Sequence, residues 1–279
     1  MQSTPELTQE EHERYSRQLL LSELSLPKQL LLKHSKILII GAGGLGSPCL
    51  TYLTGAGIGT IGIIDDDSVS LSNLHRQVIH TSNSTNINKA ISAKHFLSSL
   101  NPFTVINTYP YALTRSNAVS IIKEYDLAIA CCDNPQTRYL INDVCALLNK
   151  PFISGSSVRW DGQLSVHVKD AQGNKVACYR CIHPNVPNDD MVAKAKDVGV
   201  IGTAPGVIGT LQANEAIKFV IGENEGLLCG KMLMYDGLDM KIKVVRLRGC
   251  REECIVCGKE EYRKVRINEN NEIDVDDDK

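Results

Sequence analysis

Residues 37–46 read ILIIGAGGLG, a short apolar run that ends in a cluster of glycines. The segment that follows, SPCLTYLTGAG, has a helix-like pattern. Gly41, Gly43 and Gly46 match G-x-G-x-x-G directly after a predicted strand. A side chain at such positions would block a phosphate from the backbone N–H groups at the next helix's N-terminus. The stretch therefore predicts a strand–turn–helix unit that holds a nucleotide. Which nucleotide, and for what chemistry, depends on the residues around it.

The next apolar run, GTIGIIDDD, reads as a second strand that ends in acids. Asp65 falls at its end, about 20 residues beyond the fingerprint, where a carboxylate can accept both ribose hydroxyls. The plainer reading is a surface acid in a turn. The polar segment SVSLSNLHRQVIHTSNSTNINKA comes next and is too long for an ordinary connection. Long loops in compact α/β domains are often functional. This one holds Asn73, Arg76 and Lys89, and two cations with an amide suit a polyphosphate better than a nicotinamide. Lys89 alone reads equally well as a surface lysine at a helix start. A further strand, YDLAIACCD, ends at Asp133-Asn134, before the helix PQTRYLINDVCALLNK. Asp133 and Asn134 can cap that helix. The sharper role for Asp133 is a magnesium ligand at the carboxyl edge of a parallel sheet.

Repeated βα units over residues 36–157 predict a Rossmann-like, doubly wound α/β sheet, parallel in its N-terminal half. After residue 157 the pattern changes. VRWDGQLSVHVKD and GKMLMYDGLDMKIKVVRLR alternate and turn at Gly or Asp-Gly, so antiparallel strands are added C-terminally. Between them lie CYRCIHPNVPNDDMVAKAKDVG, expected to be a mobile loop, and APGVIGTLQANEAIKFVIG, expected to be an amphipathic helix. Residues 1–35 form a helical arm, with Thr8 and Glu11 spaced as a capping box. Arg14 and Arg17 lie near one helical face and by themselves read as a solvated pair. Residues 36–265 form one domain. Residues 266–279, RINENNEIDVDDDK, are polar and acidic and read as a disordered tail.

The chain has 279 residues with a net charge of -2, so nothing calls for nucleic acid or an anionic membrane. No apolar run approaches the roughly 20 residues of a spanning helix. The polar N-terminus does not read as a signal peptide, which makes a cytoplasmic protein the expectation. Four of the ten cysteines form two C-x-x-C pairs, Cys178/Cys181 and Cys254/Cys257. Together they supply four thiolates, a closed tetrahedral set for structural zinc. Cys250 and His183 are nearby spares. The remaining cysteines read as buried, reduced thiols.

With these residues collected, the chain resembles the HesA/MoeB/ThiF family, relatives of ubiquitin-activating enzymes. The likeness runs from about residue 7 to 258. It is carried by RYSRQ, GAGGLG, IDDDSVSLSNLHRQ, Lys89, CCDN, SGSSVRWDGQLSV, CYRC, GVIGT and CIVC. The resemblance implies ATP-dependent adenylation of the C-terminal glycine of a small ubiquitin-like sulfur carrier ending in Gly-Gly, with pyrophosphate released. It implies that Gly41, Gly43, Gly44 and Gly46 leave room for ATP and that Asp65 holds the ribose. Asn73, Arg76 and Lys89 would contact the phosphates, and Ser72, Leu74 and His75 of the same loop would line the nucleotide site. Asp133 would bind magnesium and Asn134 would line the nucleotide site. Arg17 would reach ATP from the other subunit of a homodimer, which replaces the solvated reading for Arg17 but not for Arg14. Arg17, Arg76, Lys89 and Asp133 are the expected catalytic set.

This chemistry is coherent on its own terms. Cations and magnesium stabilise the charge on phosphorus and on the departing pyrophosphate. No general base is needed, because a carboxylate nucleophile is already ionised at neutral pH. One position departs from the family pattern. Ala195 falls where the mobile loop usually carries a cysteine, and no cysteine lies between Cys181 and Cys229. No covalent thioester is expected there, and a separate sulfur donor (a cysteine desulfurase or a rhodanese) is expected to act on the acyl-adenylate. The alternatives are a catalytically silent subunit paired with an active relative, and a dinucleotide-dependent oxidoreductase. The first predicts decayed ATP contacts; the second leaves Arg76, Lys89, Asp133 and the cysteine pairs unexplained.

Overall fold

A computed structural model describes residues 6–167, 173–174, 176–187 and 198–275. The opening apolar run forms β1 (Lys36–Ile40). It pairs in parallel with β2 (Thr60–Ile64), Ile37 opposite Ile61 and Ile39 opposite Ile63. Near-continuous apolar sequence is what a strand covered on both faces requires. The strands β3 (Val105–Tyr109), β4 (Leu127–Ala130) and β5 (Phe152–Val158) extend the parallel part. The chain then reverses. β6 (Asp161–His167), β7 (Lys231–Asp236) and β8 (Lys241–Arg246) add in antiparallel order. The eight-stranded order is β3-β2-β1-β4-β5-β6-β7-β8. The strand order reverses direction about β1, so a crevice opens at the carboxyl ends of β1 and β4, where open α/β sheets bind ligands.

The helices are α1 (Gln9–Tyr15), α2 (Leu26–His34), α3 (Gly46–Ala56), α4 (Lys89–Leu100), α5 (Ala118–Ile122), α6 (Pro135–Leu147), α7 (Tyr179–Ile182) and α8 (Thr203–Val220). α3, α4 and α8 cover one face around Leu50, Leu53, Ile61 and Ile208. α5, α6 and the cysteine segments cover the other around Ile141, Val144 and Phe152. α8 buries Ala204, Ile208, Gln212 and Ala216 along one face, the amphipathic pattern its sequence predicts. It is wedged between α3 and the strands β5 and β6. Gly209 permits this, because a Cβ there would come within 2.1 Å of the Leu45 carbonyl.

The arm is anchored at its start as the sequence predicts. Thr8 Oγ1 accepts from Glu11 N at 3.2 Å, and Glu11 Oε2 accepts from Thr8 N at 2.7 Å. Arg14 is exposed, as its solvated reading expects, and its Nη1 also donates to the Leu100 carbonyl at 3.0 Å, joining α1 to the end of α4. The reading of residues 266–279 as a disordered tail is corrected over the described part. β9 (Val265–Ile267) and β10 (Ile273–Val275) form an antiparallel hairpin. Val265 and Ile273 are buried, and Ile273 N donates to the Arg115 carbonyl at 3.1 Å. The four apolar residues alternate about a polar turn, which is enough to dock a short hairpin despite its acids. Residues 276–279 lie outside the described residues, as do residues 188–197 of the segment expected to be mobile, Ala195 among them. Among the described residues no helix is long and apolar enough to cross a membrane.

Candidate functional site

A cavity of about 570 Å³ lies at the carboxyl ends of β1, β2, β4 and β5. The glycine turn forms its floor, but the glycines differ in what they do. Gly41 has φ of 103°, and a Cβ there would sit 2.7 Å from the Cys131 carbonyl. At Gly46 a Cβ would sit 2.1 Å from the Gly41 carbonyl. These two allow the turn to close. Gly43 and Gly44 leave the cavity floor free of side chains, with Gln77 and Pro205 their nearest side-chain neighbours. Gly46 does not line the cavity.

Asp65 lines the cavity where β2 ends. Its Oδ2 accepts from Ala42 N at 2.7 Å and its Oδ1 from Asp67 N at 3.0 Å. Burial pushes its carboxyl up to about 6, against the opposing pull of the Lys89 charge and these two N–H groups. Lys89 opens α4, whose first turn is capped by Asn88 Oδ1 accepting from Ala90 N at 2.9 Å. It is a helix-start lysine, yet it is buried and points into the cavity. Its Nζ pairs with Asp67 Oδ2 at 2.7 Å.

Arg76 enters the cavity wall from the long crossover loop. Its Nη2 donates to Asn73 Oδ1 at 3.0 Å, and Nη1 lies 2.8 Å from His75 Nε2. Ser72, Asn73, Leu74 and His75 do not line the cavity; Asn73 and His75 hold the guanidinium that does. Asp133 lines the mouth where β4 ends, and Asn134 beside it caps α6, accepting from Thr137 N at 3.3 Å. The structure thus brings together Gly41, Gly43, Gly44, Asp65, Arg76, Lys89, Asp133 and Asn134. Arg17 is exposed and outside the cavity of its own chain.

Three residues of this region have roles that local spacing does not show, although Gln77 ends the stretch IDDDSVSLSNLHRQ. Gln77 is buried behind Gly43, and its Oε1 has no partner. Arg138 Nη2 donates to the Cys132 carbonyl at 2.9 Å and the Gly155 carbonyl at 3.1 Å, tying the ends of β4 and β5. Gln212 of α8 donates to the Ala130 carbonyl at 2.8 Å. Each depends on a tertiary approach that local spacing does not encode.

On the opposite face the two C-x-x-C pairs converge. The Sγ atoms of Cys178, Cys181, Cys254 and Cys257 all lie within 4.8 Å of one another. Four of the separations are 3.8 Å (Cys178–Cys181), 3.6 Å (Cys178–Cys254), 3.4 Å (Cys181–Cys257) and 3.4 Å (Cys178–Cys257). Metal–sulfur bonds of about 2.3 Å in a tetrahedron place the sulfurs about 3.8 Å apart, so the set could hold a metal ion. The two spares stand aside. Cys250 Sγ donates to the Val176 carbonyl at 3.0 Å, and the His183 ring packs 4.6 Å from Tyr179. The buried pair of Arg180 and Asp143, joined by two bonds of 2.7 Å, fastens α7 to α6 beside the cluster.

Comparison with known proteins places this geometry in context. The chain is 46% identical over 248 residues to a Dictyostelium discoideum protein named adenylyltransferase and sulfurtransferase MOCS3, covering 89% of this chain and 57% of that protein. It is 44% identical over 269 residues to the Candida albicans adenylyltransferase and sulfurtransferase UBA4, covering 95% of this chain and 60% of that one. The chain therefore spans little more than half the length of these relatives. Among solved structures, Escherichia coli MccB with ATP is similar at a TM-score of 0.75 and 25% identity, covering 88% of this chain and 75% of MccB. The ThiF family pattern matches residues 15–256, and the chain belongs to the ThiF family.

Proposed function

We propose that this chain is an ATP-dependent adenylyltransferase that activates the C-terminal glycine of a small ubiquitin-like sulfur carrier ending in Gly-Gly. The observation that carries this reading is the single cavity wall shared by Gly43, Gly44, Asp65, Arg76, Lys89 and Asp133. Two cations at a side-chain-free turn suit a triphosphate, and Asp65 stands where a ribose would be held. The intact set favours this reading over a silent partner subunit, which needs none of it. The names of the MOCS3 and UBA4 relatives support the same activity; the sulfurtransferase half of those names stays with them.

In this mechanism the carrier's terminal carboxylate attacks the α-phosphorus of ATP. A P–O bond forms, the bond to the bridging oxygen breaks, and pyrophosphate leaves with the electron pair. Arg76 and Lys89 stabilise the charge that accumulates on the phosphates. Lys89 must exchange Asp67 for phosphate to do so. Asp133 would hold magnesium, which neutralises phosphate charge when bound. Arg17 would complete the site from the partner of a homodimer, since it is exposed and remote from the cavity of its own chain. Ala195 supplies no thiol, so the product is released as acyl-adenylate.

Cys178, Cys181, Cys254 and Cys257 would hold a structural zinc ion; four thiolates close its coordination and leave no open position for catalysis. Four thiolates gathered for a metal suit the reducing conditions of the cytoplasm. Carrier-dependent exchange of labelled pyrophosphate into ATP tests the central reading.

A further inference from the structure

His80 is a buried imidazole in the crossover loop that the proposed chemistry does not use. Its Nε2 lies 2.9 Å from the Ala42 carbonyl oxygen, and its Nδ1 lies 2.9 Å from Ser92 Oγ of α4. A carbonyl oxygen only accepts, so Nε2 carries the proton and Nδ1 accepts from the Ser92 hydroxyl. Burial, with the Lys89 charge nearby, pulls the imidazole pKa down, which keeps it in this neutral, single-tautomer form.

Ala42 is the residue between the first two glycines of the turn. Its own N–H donates to Asp65 at 2.7 Å, so both of its backbone polar atoms are held by side chains. The Ala42 carbonyl shares a trans peptide with the Gly43 N–H, and the two point in opposite directions. Drawing the carbonyl back onto His80 turns the Gly43 N–H the other way. Gly43 lines the cavity, and its N–H has no protein acceptor among the described residues.

We infer that His80 is a positioning residue for phosphate recognition: it clamps the Ala42 carbonyl so that the Gly43 N–H is presented to a nucleotide phosphate. His80 does not touch the ligand. Ser92 fixes its tautomer, and Asp65 holds the same turn from the ribose side. Phosphate recognition is thereby linked to α4, the helix that also carries Lys89.

This inference rests on the nucleotide reading of the cavity, and the test keeps the two apart. Equilibrium binding of ATP and of adenosine is measured on the native chain and on His80→Leu, His80→Gln and Ser92→Ala. Adenosine keeps the base and ribose but lacks phosphate. His80→Leu should weaken ATP roughly tenfold, the scale of one buried hydrogen bond, and leave adenosine unchanged. His80→Gln keeps an amide donor near Nε2 and should restore ATP binding to within about threefold of native. Equal losses for both ligands, or no rescue by glutamine, overturn the inference. If His80→Leu does not fold, Ser92→Ala decides. It leaves a good helix former in α4 and should weaken ATP alone by about threefold. Unchanged ATP binding in that variant overturns the inference. Absence of ATP binding by the native chain would instead overturn the nucleotide reading itself.

Discussion

Lys89 Nζ sits 2.7 Å from Asp67 Oδ2, so the buried cation of the cavity is held by a carboxylate whose own side chain is largely exposed. A triphosphate must displace Asp67 to reach Lys89. Asp67→Asn should therefore strengthen ATP binding by a few-fold, about 0.5–1 kcal/mol, the range of a partly exposed ion pair. Lys89→Ala should weaken exchange activity by about 100-fold or more. ATP titrations and exchange rates check both. Weaker ATP binding in Asp67→Asn would mean that Asp67 is part of the ATP site.

Asp65 sets a pH dependence. Burial raises its carboxyl from an ordinary 3.8 to about 6. In that window the native chain keeps a proton the unfolded chain has released, so this group's contribution to native stability falls as pH rises. Binding has the opposite sign, because acceptance of both ribose hydroxyls requires the carboxylate. Adenosine affinity should drop by up to about tenfold per pH unit below about 6. Asp65→Asn should bind weakly with no such step. A flat native profile over the same range would remove Asp65 from the ribose site.

The cysteine cluster predicts a metal-dependent fold. Its sulfurs share a core with Val256, Val265 and Ile273. Cys178→Ser should release zinc and lower stability by about 3 kcal/mol or more, and strong chelators should do the same to the native chain. Metal analysis with thermal unfolding measures this. A zinc-free variant with native stability would defeat the structural-metal assignment.

Arg17 offers a test across subunits. Arg17→Ala and Asp133→Ala should each be inactive alone. If Arg17 serves the partner's site, a mixed dimer of the two has one complete site. Random mixing should then restore about a quarter of native activity. No recovery after verified subunit exchange would place Arg17 outside the partner's site.

Much of this arrangement is legible in the sequence because it hangs on strand ends. Gly41, Asp65 and Asp133 follow β1, β2 and β4 at spacings that local pattern reveals, and the parallel core and its antiparallel extension follow from the change in periodicity. Family resemblance added Arg17, which its exposed position in α1's wake would not suggest. The division of labour among the glycines was hidden, because Gly41 and Gly46 are constrained by the Cys131 carbonyl and by each other. His80, Gln77 and Arg138 were hidden too, since their partners come from other elements. The hairpin of residues 265–275 is masked in the sequence by the polar and acidic residues that follow Val265. Its alternating Val265, Ile267, Ile273 and Val275 were visible, but the core they dock against is built by distant segments.

The central claim is tested most directly by ATP–pyrophosphate exchange with purified chain, magnesium and candidate Gly-Gly carriers. Exchange is expected with at least one carrier, is expected to be lost when its terminal glycine is removed, and is expected to fall by about 100-fold or more in Arg76→Ala and Asp133→Ala with folding retained. No carrier-dependent exchange from any such protein, by a folded and ATP-binding chain, would contradict it.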